Sequence, residues 1–163
     1  LLLPQSVAAN ISLGNSDKIS HLSVVNTLSE TTLANKHIKS LGVRTTNTSQ
    51  AVESLSGGNQ QKVLISRWLE RDCEVVLFDE PTRGIDVGAK QDINQLLNTL
   101  TAKGKGVVVV SSDLRELMLV CDRIAVISDG KLVNTFTRDN WSQDRILAAA
   151  FSAYQHSEET VSE

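Results

Sequence analysis

The sequence predicts an α/β fold with a mostly parallel sheet flanked by helices. Three short runs are apolar at every position: VVLF at residues 75–78, VVVV at 107–110 and IAVI at 124–127. Such runs suit strands that are covered on both faces, as in parallel sheets between helices. Helical patterns lie between the runs, and this alternation is typical of α/β domains.

The first third of the chain predicts a helical region ahead of the sheet. It is rich in Ser, Thr and Asn, and apolar residues over 22–41 recur at helical spacing, which predicts one or two helices. Gly42 is the predicted stop of the last of these. The sequence changes character near residue 54, so we predict a helical subdomain over residues 1–54.

Helices and strands then alternate. A helix is predicted after Gly58, a second over residues 87–100 with its leucines turned inward, and a short third over 114–120. The first of them carries an apolar face formed by Leu64, Ile65, Trp68 and Leu69.

The chain is predicted to end with an edge strand, a helix and a tail. Residues 132–136 form the candidate edge strand, and Ser142 is the candidate N-cap of the last helix. The core part of the fold is thus predicted over residues 55–154. The polar, acidic residues 155–163 predict a disordered tail.

Composition excludes several classes of function. The formal net charge of -3 over 163 residues favours neither nucleic acid nor an anionic membrane as a partner. Cys73 and Cys121 lack metal-ligand spacing and are predicted to be buried in a reducing compartment. No apolar run approaches the roughly 20 residues that span a bilayer. We therefore expect a cytosolic chain, and one cut at its front because no initiating Met is present.

Two adjacent acids follow the first apolar run. Asp79 and Glu80 stand where ligands gather in open α/β sheets, beyond the carboxyl end of a strand. Pro81 is predicted to hold Glu80 in an extended conformation. A strand ending in two acids fits a Walker B element, in which the first acid holds Mg²⁺ and the second orients a water that attacks a phosphate. A solvated pair that merely closes a strand is the alternative.

The stretch LSGGNQQKV, residues 55–63, predicts an anion site at a helix start. Ser56 is positioned to cap the helix, and Gly57 and Gly58 permit a ligand to approach the backbone. Helix N-termini favour anions because their N–H groups are unpaired and the helix dipole is positive there. A plain Gly-Gly turn before a helix is the alternative.

Three motifs together carry a resemblance. LSGGNQQKV resembles the signature motif of ATP-binding cassette (ABC) ATPases, and LFDEPTRGID, residues 77–86, resembles their Walker B and D-loop. With DEPTRGIDVGAK and VVSSDLREL, they resemble the second cassette of the ATPases that energise simple-sugar importers of the ribose, galactoside, xylose or autoinducer-2 type. The resemblance extends to about Tyr154 and implies a partial P-loop NTPase-like cassette.

The resemblance implies a role for each matching residue. Two cassettes stack head to tail in this family, so the signature of one faces the nucleotide held by the other. The resemblance implies ATP and Mg²⁺ as cofactors and a location at the cytoplasmic face of the inner membrane. The implied partners are a second cassette, membrane permease subunits and, indirectly, a periplasmic solute-binding protein. The implied nucleotide contacts are Ser56, Gly57, Gly58, Gln60 and Asp86, the metal residue is Asp79, and the catalytic residues are Glu80 and Ser112.

Two departures from the family pattern stand beside the resemblance. The 163 residues contain no Walker A loop, GxxxxGK[ST]; the two Gly-Lys pairs, at residues 104–105 and 130–131, both lack the following Ser or Thr. Ser112 also occupies the place of the family's switch histidine, and a hydroxyl can donate a hydrogen bond but cannot titrate near neutral pH. Two hypotheses remain open: a truncated subunit of a transport ATPase, or an inert module that binds no ATP alone.

Overall fold

The computed structural model describes residues 1–21 and 24–159. Contacts divide the chain into two compact units, Leu1–Val108 and Val109–Glu163, and each is described by itself. The boundary predicted between residues 54 and 55 lies inside the first unit.

The first unit begins with helices and a small hairpin. Helix α1 is Val7–Ser12, α2 is Ser16–Ile19, and strands β1 (Ser20–His21) and β2 (Val24–Val25) pair antiparallel. Helix α3, Thr27–Leu41, is the single long helix of the region predicted as one or two helices. The Asn26 side chain caps α3, and Gly42 ends it with a φ of 59°, which confirms the predicted stop.

The predicted alternation of helix and strand follows in the same unit. After a 3₁₀ turn at Val52–Ser54 come α4 (Gly57–Leu69), β3 (Val75–Asp79) and α5 (Val87–Ala102). Strand β3 forms a two-stranded sheet with β4 (Gly106–Val110). At the start of this pairing, the Gly106 N–H donates to the Glu74 carbonyl at 2.8 Å.

Helices, rather than the sheet, enclose the main core of the first unit. Side chains of α1, α3 and α4 and of the 3₁₀ turn bury one another because each helix presents an apolar face inward. Helix α5 buries Ile93, Leu97 and Leu100, as its spacing predicts. The main cluster comprises Val7, Ala8, Ile11, Ala34, Val43, Val52, Leu55 and Val63.

Strands β3 and β4 are not covered on both faces, and this part of the prediction is wrong for the chain as described. Leu77 is 74% exposed and Val75 is 56% exposed, while Phe78 is buried. The valines Val108 and Val110 are exposed as well. An all-apolar run indicates a strand suited to two covering layers, but the layers themselves must come from elsewhere in the fold.

The second unit is a hairpin packed with helices. Strands β5 (Arg123–Ser128) and β6 (Lys131–Thr137) pair antiparallel, with Ile124 opposite Phe136. The third apolar run therefore belongs to an antiparallel pair, whose second strand is the predicted edge strand at residues 132–136. The turn between the strands is Asp129-Gly130, both at positive φ. The core is formed by Ile124, Val126, Phe136 and Ile146.

The helices of this unit are α6 (Leu114–Val120) and α7 (Gln143–Glu159). Ser142 Oγ accepts a hydrogen bond from the Arg145 N–H at 3.3 Å, which confirms it as the cap of α7. Helix α7 continues into the predicted disordered tail as far as Glu159, and residues 160–163 lie outside the described residues.

Two further predictions concern the burial of the cysteines and the presence of membrane-spanning helices. Cys73 is exposed and Cys121 is half-buried, so the expectation that both cysteines are buried is wrong. Within residues 1–21 and 24–159, the helices fall short of the length and apolarity needed to cross a bilayer.

Candidate functional site

The turn at the start of α4 is open to solvent. Ser56 occupies the N-cap position with φ −62° and ψ 154°; Ser56 and Gly57 are exposed, while Gly58 is buried. Among the described residues, no backbone N–H donates to Ser56 Oγ, so the predicted capping bond is not formed. Instead, the Asn59 side-chain amide donates to Ser56 Oγ at 2.8 Å.

This arrangement leaves the helix start suited to an anion. The first N–H groups of a helix have no intrahelical partners, and a capping side chain normally satisfies one of them. Because the Ser56 hydroxyl does not cap, it and the first-turn N–H groups are presented together at an exposed helix end with a positive dipole.

Gly58 is required by packing rather than by an unusual backbone angle. A Cβ at this position would lie 2.5 Å from the Ala89 Cβ and 3.6 Å from an Asp86 carboxylate oxygen. A Cβ on Gly57 would meet the Gly84 carbonyl oxygen at 3.8 Å. Gly58 therefore allows the start of α4 to lie against the start of α5, and the signature and D-loop residues meet on one surface.

Asp86 has a structural task that the sequence analysis did not assign. It is the N-cap of α5, and its carboxylate accepts a hydrogen bond from the Ala89 N–H at 2.9 Å. That bond, with a smaller one from Gly88, lowers the pKa of the Asp86 carboxyl. The side chain remains exposed, so capping does not remove it from solvent.

The two acids after β3 differ in burial and backbone. Asp79 is the exposed last residue of β3, whereas Glu80 is half-buried with a φ of 45°. Glu80 is therefore not extended as predicted. Its carbonyl accepts from the Arg83 N–H at 3.2 Å, which closes a turn over the buried Pro81 and Thr82.

A positive φ is costly for a glutamate, and the following proline disfavours helical backbone further. Strain of this kind persists where the surrounding structure enforces it, and it concentrates at functional sites. The buried turn after Glu80 thus holds the acid in a position that its own backbone preference would not select.

The donor set fits a magnesium ion better than a metal bound only by protein side chains. Within the described part of the chain, no group of three or more His, Cys, Asp or Glu side chains is arranged to hold a metal. Mg²⁺ keeps several waters and is held by one or two carboxylates together with phosphate oxygens. Asp79, exposed at a strand end, meets that requirement.

The remaining candidates are placed differently. The Gln60 side-chain amide donates to the Leu55 carbonyl at 3.1 Å, so Gln60 braces its own turn. Ser112 is exposed in the second unit, between β4 and α6, where Asp113 caps α6 through the Glu116 N–H. The structure thus gathers the signature and D-loop residues within the first unit, and Ser112 is described with the second.

Two residues of α4 that sequence reasoning missed brace the loop after α3. Asn59 Oδ1 accepts from the Arg44 N–H at 2.8 Å, and the buried Lys62 Nζ donates to the Gly42 carbonyl at 3.2 Å. Lys62 also pairs with Asp92 of α5 at 2.6 Å. Asn59 and Lys62 are three residues apart and therefore lie on one side of α4, and this spacing is the sequence feature that could have identified them as a pair.

Comparison with known proteins agrees with these motifs. Residues 3–83 match the family described as ABC transporter. A xylose import ATP-binding protein of Thermoanaerobacter pseudethanolicus is 43% identical over 150 residues, covering 92% of this chain and 30% of that protein. A ribose import ATP-binding protein of Clostridium tetani is 41% identical over 155 residues, covering 93% of this chain and 31% of that protein.

Solved structures give the same fold. A dimeric, post-hydrolysis ATP-binding cassette bound to ADP and Pi has a TM-score of 0.70 and 25% identity, covering 86% of this chain and 60% of that one. The chain spans only 30% and 31% of the length of the two sugar-import relatives. The chain belongs to the ABC transporter family and comprises part of an ATP-binding cassette.

Proposed function

We propose that this chain is part of the ATP-binding subunit of an ABC importer that couples ATP hydrolysis to uptake of a simple sugar or sugar-like solute. The observation that carries the proposal is the exposed turn at Ser56 and Gly57, at the start of a helix whose N-cap hydroxyl is not bonded to the helix backbone. A turn buried under its own chain would be useless to a nucleotide held by another subunit. The names of the sugar-import relatives support the solute class.

The turn would complete a nucleotide site shared with a second cassette. Ser56 and Gly58 would contact the γ-phosphate of an ATP bound by that partner, with Gly57 and Gln60 supporting the turn. Asp86 lies beside Gly58 and is exposed, a position that suits a contact across the same interface. The subunit would lie against membrane permeases at the cytoplasmic face of the inner membrane, with a periplasmic solute-binding protein acting indirectly.

The acids after β3 would serve a second nucleotide. Asp79 would hold Mg²⁺, which neutralises charge that develops on the transferred phosphoryl group. Glu80 would orient or deprotonate the attacking water, and the positive φ at this residue supports the assignment, because such strain concentrates at functional sites. Ser112 would donate a hydrogen bond where the family often has histidine. In the complete cassette, we assign residues 1–54 to the helical subdomain and 55–154 to the core.

An arginine at the signature turn tests this function in the complete transporter. We expect Ser56→Arg to abolish solute uptake, because a bulky cation would fill the space that a γ-phosphate requires. Ser54→Arg, at an exposed serine two residues earlier, is the matched control and should retain most uptake. Wild-type uptake by Ser56→Arg would refute the role of the signature.

ATP hydrolysis in the complete transporter, compared with that of the 163-residue chain, separates this proposal from an inert module. We expect no turnover of MgATP by that chain alone, since a cradle of the GxxxxGK[ST] type is absent from the sequence. In the complete transporter, Glu80→Gln should abolish turnover at the site built on these acids. An unchanged rate there would favour the inert alternative.

A further inference from the structure

We propose that Asn59 is a positioning residue that orients the Ser56 hydroxyl toward a phosphate, an inference that rests on the proposed function. The Asn59 side-chain amide lies between two partners, the Arg44 backbone N–H and Ser56 Oγ, each at 2.8 Å. Asn59 would act on the nucleotide only through Ser56.

The chemistry of the two partners determines which way the amide faces. A backbone N–H can only donate, so the Asn59 oxygen must face Arg44 and its NH₂ group must face Ser56. Ser56 Oγ therefore accepts from Asn59, and its own proton is left to donate to another acceptor. An aspartate at this position would reverse the second bond, because a carboxylate only accepts.

The anchor on the other side of the amide is itself fixed. Arg44 lies two residues after Gly42, whose carbonyl accepts a hydrogen bond from the buried Lys62. Lys62 is on α4, about one helical turn beyond Asn59. The loop after α3 is thus tied twice to α4, and one of the two bonds is to the amide that contacts Ser56. In an ordinary N-cap, the serine oxygen accepts a hydrogen bond from a backbone N–H of the helix, and a side-chain amide does not orient its hydroxyl.

The first test is made on the full chain without nucleotide. We expect Asn59→Asp to leave the free energy of urea unfolding unchanged or to raise it, because an acid in the first turn of a helix is favourable. The NMR signal of the Asn59 side-chain NH₂ should shift in Ser56→Ala. A signal that does not respond to Ser56→Ala would overturn the hydrogen bond on which the inference depends.

The second test is a double-mutant cycle in the complete transporter, read as ATP-dependent pairing of the cassettes and as kcat and KM for ATP. We expect Asn59→Ala to weaken both pairing and turnover by roughly three- to tenfold, the value of one hydrogen bond. In a Ser56→Ala background the same change should cost nothing further. Asn59→Asp should lower turnover at least as much although its stability is retained.

The outcomes separate the inference from the function. If Ser56→Arg blocks uptake but the effects of Asn59→Ala and Ser56→Ala simply add, the function stands and the positioning role is overturned. If Ser56→Arg leaves uptake intact, the proposed function fails, and the positioning role fails with it. A loss of turnover in Asn59→Asp that merely follows a loss of stability would also overturn the positioning role.

Discussion

Glu70 illustrates how a single residue joins the helices of the first unit. Its carboxylate contacts Lys36 and His37, both at 2.8 Å, and Lys18 at 3.3 Å. Burial alone would raise the pKa of this acid, but hydrogen bonds from Lys36, His37 and Lys18 outweigh burial and lower the pKa to about 2. Glu70 thus fastens the end of α4 to α2 and α3.

The lowered pKa predicts how stability depends on pH. A depressed pKa means that the carboxylate stabilises the fold fully above its unfolded pKa of about 4.5 and loses this contribution as pH falls toward 2. We expect Glu70→Gln to be destabilising at pH 7 by an amount that shrinks between about pH 4.5 and 2. Urea unfolding across this range measures the difference.

The exposed acid Glu53 offers the matched control, because Glu53→Gln removes the same charge from a surface site. A Glu70→Gln effect that is constant from pH 7 to pH 2 would contradict the pairing seen here.

At the scale of elements, the contact between α4 and α5 depends on a missing side chain. Gly58→Ala would place a Cβ at 2.5 Å from Ala89, so something must shift. We expect a loss of about 1–3 kcal/mol in unfolding free energy, the usual cost of overpacking. Gly57→Ala, whose Cβ meets only an ordinary contact at 3.8 Å, should cost far less.

The compensating change makes this prediction sharper. Ala89→Gly removes the opposing Cβ and costs about 1 kcal/mol by itself through lower helix propensity. In the double variant Gly58→Ala/Ala89→Gly the clash is relieved, so the total loss should be smaller than the sum. Strict additivity in urea unfolding would show that the two helices do not meet as described.

At the scale of the molecule, the first unit displays an apolar groove along α4 and β3. Its volume is about 370 Å³, and its walls include Trp68 and Leu77, which are 55% and 74% exposed. Exposed apolar patches of this kind promote association and bind hydrophobic dyes. The side chains on this face are those that the sequence analysis expected to be covered.

We therefore expect Leu77→Gln to reduce both dye binding and self-association of the chain without lowering its stability. Val87→Gln, at a residue that is 73% exposed but does not line the groove, is the matched control. Dye fluorescence and light scattering measure the two effects. Equal responses from both variants would argue against the groove as the source.

Local patterns predicted much of the fold because they act within a few residues. Helical spacing gave α4 and α5 nearly to their ends and the last residue of α3, although residues 24–25, predicted as helix, form β2. Gly42 and Ser142 were identified as stop and cap from residue type alone. The three motifs also indicated the family, since phosphate and metal chemistry requires particular residues at particular spacing.

By itself, then, the sequence determined the elements, the motifs and the residue types of the site. The tertiary structure decided the antiparallel partner of β5, the exposed face of β3 and the positive φ of Glu80. It also decided that Asn59, and not the helix backbone, binds the Ser56 hydroxyl. These features depend on which strands pair and which side chains meet in the folded chain, and residue type and spacing alone do not record that free energy.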